Sequence, residues 1–210
     1  AQPVVVNGVI YHLAGYYLWK VDLNKAHPPE VEAEPVRDKV VQAKVKVNVA
    51  PGGAFIAPQS SPSYSQKTGM LYFGTGYGWI WAYHTTEGWL RPLELELGCP
   101  IVGSPLVIHD QGRDIVVVAD RPNYPGEENR PTGRPLCPRT HGKVWVVQGL
   151  DQQDSMPGWR AYETSISKQD KGGFGGFITP SAVAAPPHGE NPSFVIGTDG
   201  FEGGRALRLA

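Results

Sequence analysis

The sequence predicts an all-β fold: a small or partial β-propeller of about four blades, each an antiparallel meander, with the last blade incomplete. Three observations carry this expectation. The chain holds 26 Gly and 20 Pro among 210 residues, roughly twice the usual background for that pair, which starves helices and favours short strands joined by tight turns. It is also 40% hydrophobic and 10% aromatic with six Trp, so it has the material for a packed core and lacks the composition of a disordered chain. Finally, one layout recurs four times: a small or polar residue, Pro, a short apolar strand, a turn, a strongly apolar strand, a glycine or aromatic turn, and a third strand.

The first copy runs from Pro3 through Val4–Val6, turns at Asn7-Gly8, continues Val9–Leu13, turns at Ala14-Gly15 and resumes over Tyr17–Val21. Asn-Gly between apolar runs is a strong hairpin signal because both residues accept the positive φ that a tight hairpin turn demands. The second copy has Ser61–Tyr64, Met70–Thr75 and Gly78–Tyr83. The third has Ser104–Ile108, Asp114–Asp120 and, after a long interruption, Gly142–Val147. The fourth has Thr179–Val183, Ser193–Asp199 and Gly204–Leu209, where it stops. Outer fourth strands are expected at Lys44–Val49 and Leu93–Leu97, whose strict alternation leaves one charged face, and at Trp159–Ser165. Residues 24–38, 121–140 and 166–177 read as insertions rich in Pro, Gly and charge. The chain is read as one propeller-type domain, with blades at about 1–50, 58–98, 103–166 and 178–210.

A formal charge of -1 lacks the basic excess of a nucleic-acid or anionic-membrane binder, and no apolar run approaches membrane-spanning length. The start at Ala1-Gln2-Pro3 fits a mature secreted form or a trimmed chain. Cys99 and Cys137 form no CxxC or haem-attachment motif. They are either one disulfide in an oxidising compartment or two separate buried thiols.

The strings Ser61-Pro62-Ser63-Tyr64, Met70-Leu71-Tyr72-Phe73-Gly74-Thr75-Gly76 and Trp79-Ile80-Trp81-Ala82-Tyr83 resemble the quinoprotein-like (PQQ-like) β-propeller repeat, and Phe194–Gly200 with Arg205-Ala206-Leu207 repeats the pattern. The resemblance covers about half of the chain and implies a fold more than an activity. Propellers of that family commonly have seven or eight blades. Its quinone-binding enzymes carry an adjacent-cysteine ring and a Ca-binding set of Glu, Asn and Asp, and no such features are recognisable here. The resemblance therefore implies the non-catalytic branch, extracytoplasmic propellers that scaffold assemblies or bind partners, with no cofactor expected.

In a four-strand blade the chain reverses at each turn, so second-to-third-strand turns and blade-to-blade connections share one face. That places Ala14–Tyr16, Gly76–Gly78, residues 121–141, Phe201–Gly203, Gly98–Gly103 and Gly172–Phe177 together. Cys99 and Cys137 meet on this rim, which favours the disulfide, a link worth about 3–4 kcal/mol in the chain-entropy model. Tyr16, Tyr77, Tyr124, Phe174, Phe177 and Phe201 lie on the same face as candidate partner-binding residues, either exposed for protein or glycan contact or packed beneath their own loops. Asp120 and Asp199 end equivalent strands and are the candidate metal residues, with turn capping as the alternative role. The six histidines show no ligand spacing, and Lys171–Phe177 lacks the Gly-Lys-Ser/Thr of a phosphate loop.

The expected function is that of a non-enzymatic secreted, periplasmic or cell-surface module that acts in protein interaction or assembly, including self-association through unpaired strand edges. A quinone-dependent oxidoreductase and a carbohydrate-binding propeller are the alternatives.

Overall fold

The computed structural model describes residues 2–14, 17–23, 33–36, 60–76, 78–101, 103–120, 137–138, 142–163, 183–188, 191–198 and 205–209. Within them, fifteen strands form four separate antiparallel sheets in which neighbours in sequence are neighbours in space. The first sheet is β1 (Val4–Val6), β2 (Val9–Ala14), β3 (Tyr17–Asp22) and β4 (Ala33–Val36). The second is β5 (Ser63–Ser65), β6 (Met70–Gly74), β7 (Trp79–His84) and β8 (Leu90–Glu94). The third is β9 (Leu106–Asp110), β10 (Arg113–Ala119), β11 (Lys143–Gln148) and β12 (Gly158–Glu163). The fourth has three strands, β13 (Val183–His188), β14 (Asn191–Thr198) and β15 (Arg205–Leu209).

The first strands of the sheets follow one another in space: β1 lies beside β5, β5 beside β9 and β9 beside β13. Sheets stacked face to face in this order, each with its first strand innermost, are blades. The predicted Asn7-Gly8 hairpin is present with both residues at positive φ, 50° and 78°. Gln111-Gly112 makes the same turn between β9 and β10, with Gln111 at φ 46°.

Two differences from the sequence reading have physical causes. The described outer strand of the first sheet is Ala33–Val36, inside a stretch read as insertion, and Lys44–Val49 lies outside the described residues. A strand containing Pro35 is tolerated there because an outer edge needs no ladder hydrogen bond from every residue. The outer strand of the second sheet is Leu90–Glu94, earlier than the expected Leu93–Leu97: Leu95 N–H adds one more rung to the Gly78 carbonyl at 2.9 Å, and the chain then turns, with Cys99 N–H donating to the Glu96 carbonyl at 3.2 Å. The described part of the fourth sheet begins at Val183, and residues 179–182 of the expected strand lie outside the described residues.

Alternation within the strands sorts the core into layers. Val6, Tyr11, Leu13 and Leu18 of the first sheet pack on Leu71, Phe73, Trp79, Trp81 and Tyr83 of the second. The opposite face of the second sheet, Met70, Tyr72, Ile80 and Ala82, packs on Val116, Val118, Trp145 and Val147 of the third. Because both faces are covered, β6 is buried at all five positions and reads as a continuous apolar run, not an alternating one. Val117, Ala119 and Val144 form the core on the far face of the third sheet.

Candidate functional site

The rim above the second and third sheets is built from three pieces of chain that the sequence reading placed on one face. The β6–β7 turn brings Gly78, at φ +82°, so close to the next connection that a Cβ there would lie 1.8 Å from the Glu96 carbonyl oxygen. Only glycine fits this approach. The connection then bends, with Cys99 N–H donating to the Glu96 carbonyl at 3.2 Å, and Ile101 N–H donating to the Thr75 carbonyl at 2.9 Å. Ile101 forms an antiparallel bridge with Asp120, where the long excursion of the third blade leaves β10.

That excursion is closed at its base. Asp120 N–H donates to the Lys143 carbonyl at 3.0 Å, and Lys143 N–H donates to Asp120 Oδ1 at 2.8 Å. The second carboxylate oxygen, Oδ2, accepts the indole N–H of Trp145 at 2.6 Å. Lys143 Nζ lies 3.1 Å from Glu96 Oε2 and 5.6 Å from the centre of the Trp145 ring. The Cys99–Cys137 disulfide joins the connection to the far end of the excursion, at a sequence separation of 38. Both half-cystines are buried.

Asp120 therefore serves as a turn clamp. Its carboxylate stands with Glu96 and Cys99, donor atoms within 4.8 Å of one another, but the sulfur of Cys99 is held in the disulfide and offers no thiolate. Asp199 lies outside the described residues, as do Tyr16, Tyr77, Tyr124, Phe174, Phe177 and Phe201.

A second polar cluster, unmarked by any spacing in the sequence, lies between the second and third sheets. The Asp114 carboxylate is fully buried. Its Oδ1 accepts the Ser65 hydroxyl at 2.9 Å and His109 Nδ1 at 2.9 Å. Its Oδ2 accepts the Tyr72 hydroxyl at 2.8 Å and the Thr68 hydroxyl. A carboxylate is affordable in such a place only when hydrogen-bonded on every side. Burial, reinforced by the charge of Asp114, pushes the Tyr72 hydroxyl far above the usual tyrosine range and keeps it a donor. Asp114 N–H in turn donates to Asp151 Oδ2 at 3.1 Å.

These bonds lock one blade to the next. Further polar links do the same: Gln2 N–H to Ser61 Oγ at 2.6 Å between the first and second blades, and Arg91 to the Gly149 carbonyl at 3.2 Å between the second and third. The arrangement is a stiff base carrying a tethered excursion.

No family model and no curated protein matches the chain. Among solved structures, Sqt1 of Saccharomyces cerevisiae is similar, with a TM-score of 0.51 and 14% sequence identity over 96% of this chain. The chain spans 41% of the length of that structure. At such identity the likeness concerns the fold alone, and with the four stacked sheets it makes this chain an all-β partial β-propeller.

Proposed function

We propose that the chain is a non-enzymatic interaction and assembly module, of the non-catalytic PQQ-like branch, that offers its insertion-bearing face to a protein partner outside the cytoplasm. The observation that carries this reading is the double fastening of the excursion between β10 and β11, by the Asp120–Lys143 closure and by the Cys99–Cys137 disulfide. A long loop mounted on a rigid scaffold is the usual place for recognition, and fixing its base lowers the ordering cost of binding. The disulfide supports an oxidising compartment.

The test compares the intact chain with a variant whose residues 124–135 are replaced by a Gly-Ser linker, leaving both cysteines in place. Each is immobilised, exposed to extracytoplasmic proteins and cross-linked. The reading expects partner peptides linked to the excursion in the intact chain and absent from the variant. Equal capture by both, or uptake of pyrroloquinoline quinone with Ca²⁺ and visible absorbance, would overturn it.

A further inference from the structure

The rim gathers a set of metal-ligating atoms around the disulfide. Glu96, Cys99 and Asp120 each offer one donor atom, and the three atoms lie within 4.8 Å of one another. Cys137 is bonded to Cys99, so cleavage of that bond leaves a second sulfur beside the first. In a tetrahedral site with metal–sulfur bonds of about 2.3 Å and metal–oxygen bonds of about 2.0–2.2 Å, the ligand atoms stand roughly 3.3–3.8 Å apart. The donors are brought near that spacing by elements other than the disulfide. Close approach at Gly78 positions the connection at Glu96, and the Ile101–Asp120 bridge holds the end of β10 against it.

Both carboxylates are held from behind by hydrogen-bond donors. Asp120 Oδ1 accepts the Lys143 N–H at 2.8 Å and Oδ2 the Trp145 indole N–H at 2.6 Å, while Glu96 Oε2 accepts from Lys143 Nζ at 3.1 Å. Each carboxylate oxygen has two lone pairs, so it can take such a bond and still offer an electron pair to a metal. Supports of this kind orient ligating carboxylates and help to set metal affinity. Cys99, Asp120 and Cys137 are buried, and the Glu96 side chain, 22% exposed, lies at the edge.

We propose that Glu96, Cys99, Asp120 and Cys137 form a redox-gated site for a zinc ion, closed while the disulfide stands and opened by a dithiol reductant. The dithiol gives two electrons and two protons to the Cys99–Cys137 bond and leaves as its own disulfide. Zinc then takes both sulfurs as thiolates, and their two protons pass to solvent. Thiolate ligands select zinc over magnesium and calcium, which take oxygen ligands, and two sulfurs with two carboxylates supply the four ligands of a closed zinc site. A chain still in a reducing compartment is in the zinc-ready state, and oxidation replaces the metal with the disulfide. Sulfur–sulfur and sulfur–zinc–sulfur links both tie Cys137 to the connection, so the excursion stays fastened in either redox state.

The test is equilibrium dialysis of the full chain against Zn²⁺, once with the disulfide intact and once after reduction by dithiothreitol that is then removed without air. The reduced chain should take up a single zinc ion that the oxidised chain does not, the oxidised chain also measuring whatever the six histidines bind. Co²⁺ in its place should give thiolate-to-cobalt charge-transfer bands, and zinc should bleach them and shield both thiols from iodoacetamide. Glu96→Gln, at the partly exposed ligand, should keep the circular dichroism of the oxidised chain and weaken zinc binding by the reduced chain about 10-fold or more. If reduction costs the chain its β signal, zinc should restore it. Equal uptake by oxidised and reduced chains, uptake that survives Cys99→Ser with Cys137→Ser, an affinity that Glu96→Gln leaves unchanged, or a reduced chain that zinc neither binds nor refolds would each overturn the proposal. Partner capture is read on the oxidised chain, so either result can fail without the other.

Discussion

Tyr72 on β6 and Asp114 on β10 belong to different sheets, and the 2.8 Å hydrogen bond between them is the centre of the joint between the second and third blades. Its geometry predicts a large stability effect from a small change. Asp114→Ala strands the hydroxyls of Ser65, Thr68 and Tyr72 in an apolar seam, where each unsatisfied group costs about 1–3 kcal/mol. The expected loss is about 3 kcal/mol or more, or roughly 6–12 °C in Tm for a chain of this size. Thermal unfolding by circular dichroism checks it, and a change below about 0.5 kcal/mol would show that the cluster is not a lock.

Alkaline titration should reveal the buried tyrosines. Burial, with lesser help from Tyr83, Tyr64 and Asp22, raises Tyr11 from the ordinary 10.0 to about 12, and burial raises Tyr83 as well. Between these values the unfolded chain has lost the proton and the folded chain still holds it, so unfolding is favoured as pH climbs. Stability should be level below pH 10.0 and fall through about 12. Tyrosinate absorbance should then rise in two phases, the second coinciding with loss of the β signal. A single phase completed by the folded protein would contradict this placement of the rings.

Replacing both Cys99 and Cys137 by Ala should cost about 3–4 kcal/mol in the chain-entropy model. It should also make residues 121–136 the first site of proteolytic nicking, because the link from Cys137 to the connection at Cys99 is then gone. Limited proteolysis with mass spectrometry, with and without reductant, checks both. Identical cleavage patterns would mean that the disulfide does not fasten the excursion.

Gly78→Ala should be disproportionate to its size. The added methyl would meet the Glu96 carbonyl oxygen at 1.8 Å while φ sits at +82°, so turn and connection must part. The expected cost is about 2 kcal/mol or more, read as a Tm drop. Gly88→Ala is the matched control: it has a similar φ, +76°, with nothing within 4 Å, and should lose only the conformational part.

The strands were legible where apolar runs met Gly and Pro punctuation, as at Met70–Gly74 and Asn7-Gly8, because period and turn chemistry are local properties. The rim was legible for a topological reason. Once the chain reverses at every turn, Cys99 and Cys137 have to emerge on the same side, and they are joined. Ala33–Val36 was missed because an outer strand needs little apolar content, and Lys44–Val49 alternates more strongly. Asp114 was missed because its donors Ser65, Thr68 and Tyr72 lie on the neighbouring sheet, at least 42 residues away in sequence. No local spacing encodes a contact across blades.

The closure of Asp120 on Lys143 has a bearing on how such a chain can change over time. The ladder of the third sheet is closed at that point, so a change of length between Asp120 and Cys137 leaves the pairing of β10 with β11 in register. Doubling the length of such a loop costs only about 0.6 kcal/mol of closure entropy. New sequence can therefore be inserted, exchanged or lost there with little penalty to folding, which makes this position a port for diversification in an otherwise rigid repeat.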